Sequence, residues 1–227
     1  MSPLIDRVAM ESVFGPEELV TVDDAALAGV AHEPTRVFLR DVGLPDRIGW
    51  FEAEQRLIDG DLRIGGEAWQ AVSEKYPSCP FDMSSWLSLG GIGMDDVVVD
   101  TRAGAVYCIP EDGRPHLLNS AVDVLAFFLH ALEEERPHYD PEAAADEGVD
   151  PEGARDRLLA RMRRADAAAM EDEDSAWYSV LRYVRNLMQD QRTGPHLSAG
   201  PGLHRPGPGG GTASRRPSTT DGCRAGS

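Results

Sequence analysis

The chain has 227 residues and a mass of 24.7 kDa, with 41% hydrophobic and 27% charged residues, enough for one ordinary domain with extensions or two small ones. Asp and Glu number 39 against 22 Lys and Arg, a formal net charge of -17 that argues against general binding to DNA, RNA or an anionic membrane and favours a basic partner. The longest strongly apolar stretch, Val122–Leu132, is about half the length a bilayer span requires, and the charged, amphipathic start predicts no secretory signal peptide.

In chain order, the first clear element is Glu33–Gly43. Pro34 suits a first helical turn, Val37, Phe38 and Val42 share one face, and Gly43 with Pro45 stops the helix. One or two strands are expected around Phe51 and Leu62–Ile64. Trp86–Leu89 reads as a strand ended by a tight connection at Gly90–Gly93. Asp96–Asp100 is β-branched and bounded by turn residues, Thr101–Gly104 is a turn, and Ala105–Ile109 returns. Glu111–Gly113 is a second turn, and His116–Leu118 a third short strand. Consecutive strands joined by tight turns make an antiparallel meander.

A helix follows, with Asn119 or Ser120 as N-cap and Asp123 completing a capping-box variant. Val122, Leu125, Leu129 and Leu132 keep the spacing of an apolar face over about sixteen residues. Val97, Val98, Val99, Val106, Leu125 and Leu129 are expected in one core beneath this helix, although alternation puts Val97 and Val99 on one face and Val98 on the other, so only part of the set need touch it. Glu133–Glu135 gives the predicted last turn the wrong sign for a helix C-terminus. Glu133–Glu152 holds nine acidic residues and one Arg with Pro137, Pro141, Gly148 and Pro151, a solvated connector in which prolines stop helices. Glu152–Met170 and Ser175–Met188 are predicted helices. Thr193–Ser227 contains nine Gly and five Pro, with four Arg against one Asp, and is expected to be disordered. The tail's charge of +3 leaves -20 on residues 1–192 out of the total of -17. The expected organisation is a main body over 1–135, an acidic linker over 136–151, a helical extension over 152–192 and a tail over 193–227.

The chemistry-bearing residues point to binding rather than catalysis. Cys79, Cys108 and Cys223 form no C-x-x-C pair and read as reduced thiols of a cytosolic protein. Gly90-Gly-Ile-Gly93 lacks the third Gly and the following helix of a dinucleotide loop, and Asp95 and Asp96 would repel phosphate. No two of the six histidines stand at metal-binding spacing on a helix. His130 reads as a satisfied polar residue of the long helix, and Cys108 as core packing rather than the thiol of a Cys108–His116 pair. Asp95, Asp96 and Asp100, like Asp172–Asp174, lack EF-hand spacing. No cofactor or metal is expected, and no enzyme signature appears.

His32-Glu-Pro-Thr-Arg-Val-Phe-Leu-Arg-Asp-Val-Gly-Leu-Pro45 resembles the opening of the fourth subfamily of the SUKH superfamily, bacterial immunity proteins against polymorphic toxins. Leu87–Asp100, then Ala103–Val106, then Leu118-Asn-Ser-Ala-Val122 leading to Phe127-Phe128, is similar to that family's core. Asp166–Met170 and Trp177 resemble its C-terminal extension, so the resemblance spans roughly residues 30–188. It implies an α+β domain with a curved, mainly antiparallel sheet packed on helices. It also implies a non-catalytic, cytoplasmic protein that binds a cognate secreted toxin, often a deaminase or nuclease. An interaction scaffold of the same fold is the alternative, and an uncharacterised enzyme a more distant one. Basic toxin clefts would be complementary to acids at turns. Asp95, Asp96, Asp100, Glu111 and Asp112 are therefore the expected contacts, with no direct contact to nucleic acid.

Overall fold

The computed structural model of the chain describes residues 3–47, 49–111, 113–144 and 148–192. Asp112 and the expected tail Thr193–Ser227 lie outside the described residues. The elements run α1 (Arg7–Glu11), β1 (Leu19–Val20), α2 (Glu33–Asp41), β2 (Leu44–Pro45), β3 (Glu52–Ala53), α3 (Gln55–Asp59), α4 (Glu67–Lys75) and β4 (Trp86–Ile92). They continue with β5 (Asp95–Asp100), β6 (Val106–Ile109), β7 (His116–Asn119), α5 (Val122–Tyr139), α6 (Pro151–Ala165) and α7 (Ala176–Arg192). β3 to β7 form an antiparallel five-stranded sheet in chain order, and β1 pairs with β2 in a separate two-stranded one. The fold is α+β, and the expected meander is present.

α2 forms where Pro34 suits its first turn, and it ends before Gly43. Gly43 has φ of +82°, and a Cβ there would lie 2.3 Å from the Val20 carbonyl oxygen. That close approach is what allows β2 to pair with β1. In the sheet, strand alternation sorts the valines as expected. Val97, Val99 and Val106 join Leu125 and Leu129 of α5 in the main core, while Val98 faces a smaller cluster with Met83, Trp86 and Ile109. There the Trp86 and Tyr107 rings stack at 5.0 Å, and α4 contributes Trp69 and Val72. Two strand expectations need correction. Gly90 and Gly91 lie inside β4, beside a register shift between Ser88 and Gly90, and the turn is made by Gly93 and Met94. Leu62–Ile64 supplies only a single bridge, Ile64 to Leu87.

α5 differs from its sequence expectation at both ends. Its N-cap is Ala121, without a side-chain cap. Asp123 instead accepts the Leu4 backbone N–H at 2.7 Å, and the Ser120 N–H goes to Asp166 Oδ2 at 2.7 Å. Local capping is replaced by two long-range carboxylate contacts, which hold the chain's start and the end of α6 against this helix. At the other end, α5 runs through Pro137 to Tyr139. Glu133, Glu134 and Glu135 are therefore interior residues, not a terminal turn. Each meets arginines brought in by the fold. Arg47 reaches Glu133 at 2.7 Å, Arg161 reaches Glu134 at 2.7 Å, and Arg157 grips both Glu135 oxygens at 2.9 to 3.2 Å. The last two pairs clamp α6 to α5, the Arg157 grip being the stronger two-pronged kind.

His130 also departs from expectation. Among the described residues, neither of its ring nitrogens meets a hydrogen-bond partner, and the carboxylate of Glu134 is 3.9 Å from Nδ1. Burial pushes its imidazole pKa down, although Glu134 pulls the other way. α6 ends at Ala165, five residues short of the predicted helix end, where Asp166 turns to bond Ser120 and Ala169. The described residues form one compact unit, with residues of α5, α6 and α7 in a single core. Among the described residues, no helix is long and apolar enough to cross a membrane.

Candidate functional site

The meander places the sequence-selected acids at two opposite ends of β5. Asp95 opens the strand and Asp100 closes it, about 17 Å apart at the usual rise per residue. Asp95 and Glu111 come together, because Asp95 Oδ1 accepts the Glu111 backbone N–H at 3.2 Å. Asp96 is next to them on the opposite sheet face. Asp100 does not join this group. Its Oδ1 accepts from Ser85 Oγ at 2.9 Å and from the backbone N–H groups of Arg102 and Ala103 at 2.8 and 3.1 Å, which holds the β5–β6 turn. It is a turn residue, with its carboxylate engaged internally.

The register adds two acids that sequence reasoning missed. Glu52 pairs with Gly91, and Gly91 with Asp96, so β3 lines up Glu52 with the hairpin. Burial, followed by the nearby charges of Glu54 and Asp95, pushes the Asp96 carboxyl above the usual carboxylate range. Like charges are thus crowded here without compensation. Among the described residues, none of Glu52, Glu54, Asp95, Asp96 and Glu111 is within ion-pair distance of a basic side chain. The contrast is with α5, where the glutamates are matched by arginines. The signal for Glu52 and Glu54 was the pairing partner of β4, which a two-residue strand does not announce.

Beside this end of the sheet lies a cleft of about 590 Å³ between the β4–β5 turn, α5 and α7. Trp50, Tyr139 and Tyr183 form its aromatic wall. The Trp50 ring meets Tyr139 at 6.2 Å and 73°, and Tyr183 at 5.6 Å and 85°, so the rings stand nearly at right angles. A hydrogen-bond relay fixes this wall. Trp50 Nε1 donates to Tyr139 Oη at 3.2 Å, and Tyr139 Oη donates to the Leu132 carbonyl at 2.9 Å. Burial pushes the Tyr139 phenol pKa well up, so it stays a donor. The cleft's two arginines are neutralised in place. Arg47 pairs with Glu133, and Arg136 bonds Asp140 at 2.9 Å and Glu133 at 3.4 Å. Hydrogen bonding to Asp140 is the main cause that raises the Arg136 pKa.

Little here is set up for bond-making chemistry. Burial, reinforced by Asp95, raises the Cys108 thiol far above its ordinary range, which keeps it protonated. Cys108 and His116 are register partners in β6 and β7, yet the His116 ring bonds the Arg114 carbonyl and the thiol leans toward Asp95 at 3.9 Å. Among the described residues, no group of three His, Cys, Asp or Glu side chains is arranged to hold a metal ion. The arrangement suits recognition: a rigid aromatic recess whose lining includes two carboxylates, Asp95 and Glu142, without an ion-pair partner among the described residues.

No curated protein and no solved structure matches the chain. The family model of the SUKH-4 immunity proteins does, over residues 5–183. That match takes in the meander, the long helix, all of α6 and the first half of α7, including the hairpin end and the wall of the cleft. Spanning well over half of the chain, it places the protein in the SUKH-4 immunity protein family.

Proposed function

We propose that this protein is a non-catalytic, cytoplasmic immunity protein that neutralises a nucleic-acid-directed toxin, a deaminase or nuclease, by covering its basic substrate site. The family supports the toxin-immunity role. The observation that carries the finer reading is the crowd of unpaired carboxylates at the hairpin end, Glu52, Glu54, Asp95, Asp96 and Glu111, on a chain of net charge -17. Asp112 adjoins them in sequence, whereas Asp100 serves the far turn and is left out of the contact surface. An enzyme that binds nucleic acid needs a positive cleft. Carboxylates held on a rigid sheet end would occupy it in place of phosphates and steer the encounter.

The test is the association rate with the cognate toxin domain, to be sought in the genes beside this one. Association should slow about tenfold between low and physiological ionic strength, where the screening length shortens to about 8 Å. The variant Asp95→Asn/Asp96→Asn/Glu111→Gln should associate slowly at both, with a flattened salt dependence. A folded triple variant that associates as fast as the parent, with the same salt slope, rules out this end of the sheet as the docking surface.

A further inference from the structure

We propose that the cleft beside the hairpin end receives an arginine side chain of the toxin, together with an apolar neighbour. This rests on the immunity reading and adds the anchor that would make the encounter last.

Three observations point to that occupant. The first is shape. Trp50 and Tyr183 stand at 85° with centroids 5.6 Å apart, two walls of an open box, and the Tyr139 relay keeps Trp50 from turning away. Aromatic faces attract cations. A guanidinium, planar and weakly hydrated, stacks on them better than an ammonium does.

The second is charge. The cleft is lined by two arginines and four carboxylates, Asp95, Glu133, Asp140 and Glu142. Arg47 and Arg136 are both held by Glu133, and Arg136 also by Asp140. Among the described residues, Asp95 and Glu142 have no ion-pair partner. The recess therefore carries surplus negative charge beside its aromatic wall, the combination that a stacked cation satisfies.

The third is exposed apolar surface at the mouth. Met94 is 77% exposed at the tip of the hairpin turn, and Tyr183 is 51% exposed on α7. Methionine adapts to irregular partners, and a part-exposed tyrosine is a common anchor of interfaces. A volume of about 590 Å³ exceeds one arginine side chain and leaves space for its neighbour.

The experiment is calorimetric titration of the full-length chain with the cognate toxin domain, its catalytic residue disabled. Tyr183→Ala should weaken binding about 30-fold and Met94→Ala about fivefold, as for central and peripheral anchors of an interface. Tyr183→Phe, which keeps the ring, should bind within about twofold, and so should Val8→Ala, a change at an exposed site of α1. Replacing toxin arginines singly with alanine should find one whose loss weakens the parent complex but adds nothing to Tyr183→Ala. If Tyr183→Ala and Met94→Ala both bind like the parent, the immunity reading stands and the cleft is not the anchor. If both weaken binding but no toxin arginine is coupled to Tyr183, the occupant is not an arginine. If the free chain is a dimer that Tyr183→Ala dissociates, the cleft holds a second copy, and the proposal is wrong. If the parent does not bind the toxin at all, the immunity reading fails and this proposal falls with it.

Discussion

Trp177→Ala is expected to lower stability by about 3–5 kcal/mol, at the upper end for large-to-small core changes. The side chain is fully buried on α7, and its ring meets Phe128 of α5 at 5.1 Å and 60°. Its Nε1 donates to the Leu118 carbonyl at 3.1 Å and to Asn119 Oδ1 at 3.2 Å, at the end of β7. One residue thus joins the last helix to the long helix and to the sheet. Alanine would leave a cavity and strand two buried acceptors, each costly when unmet. Trp177→Phe should cost less, since it fills most of the volume and loses only the donor. Thermal unfolding would show the difference. For a folded unit of this size, the alanine variant should melt roughly 10 °C or more below the parent. A shift of only a degree or two would mean that α7 is not part of the cooperative unit, and that residues 1–135 fold without it.

Gly90→Ala is the second large effect, and it links the fold to the cleft. Gly90 sits inside β4 with φ of +153°, pairing with Ala53 on one side and Val97 on the other. A Cβ there would lie 2.2 Å from the Glu52 carbonyl oxygen and 2.8 Å from Phe51 Cζ. The obstacle is backbone, which cannot swing aside as a side chain can. Backbone strain and overpacking of a buried site each cost about 1–3 kcal/mol, so a combined loss of about 3–5 kcal/mol is expected. Relief would come from displacing β3, which carries Glu52 and is joined to Trp50 through Phe51 alone. Denaturant titration should therefore show the loss of stability, and toxin binding should weaken by more than stability alone explains. A variant with unchanged stability and an intact β3 would contradict the register between β3 and β4.

The parts of this fold that were legible in the sequence are those whose signals are local. Val97–Val99 between acidic turn residues can only be a short, two-faced strand, and alternation puts Val98 opposite its neighbours. Pro34 and Gly43 bracket α2 within one turn at each end. What was not legible depends on distant residues. Glu133–Glu135 looks like an unfavourable helix end until Arg47, Arg157 and Arg161 arrive from elsewhere in the chain. With those charges matched, α5 carries on through Pro137, and its extra turn delivers Tyr139 to the cleft. The same holds for the site. Asp95, Asp96 and Glu111 were found because turns advertise themselves. Trp50, Tyr139 and Tyr183 come from three separate segments with no shared spacing, and only packing makes them one wall. Asp100 was grouped with the hairpin acids because it too stands at a turn, but it closes the six-residue strand that Asp95 opens and so belongs to the turn at the other end.

On this reading the chain protects by binding a toxin rather than by chemistry of its own. The most direct measurement is survival of cells that express the cognate toxin domain, with and without the full-length protein. The chain should restore colony formation, and should do so as a stoichiometric complex in which the toxin's action on nucleic acid is suppressed. Toxicity that persists while the protein is abundant and folded would contradict it.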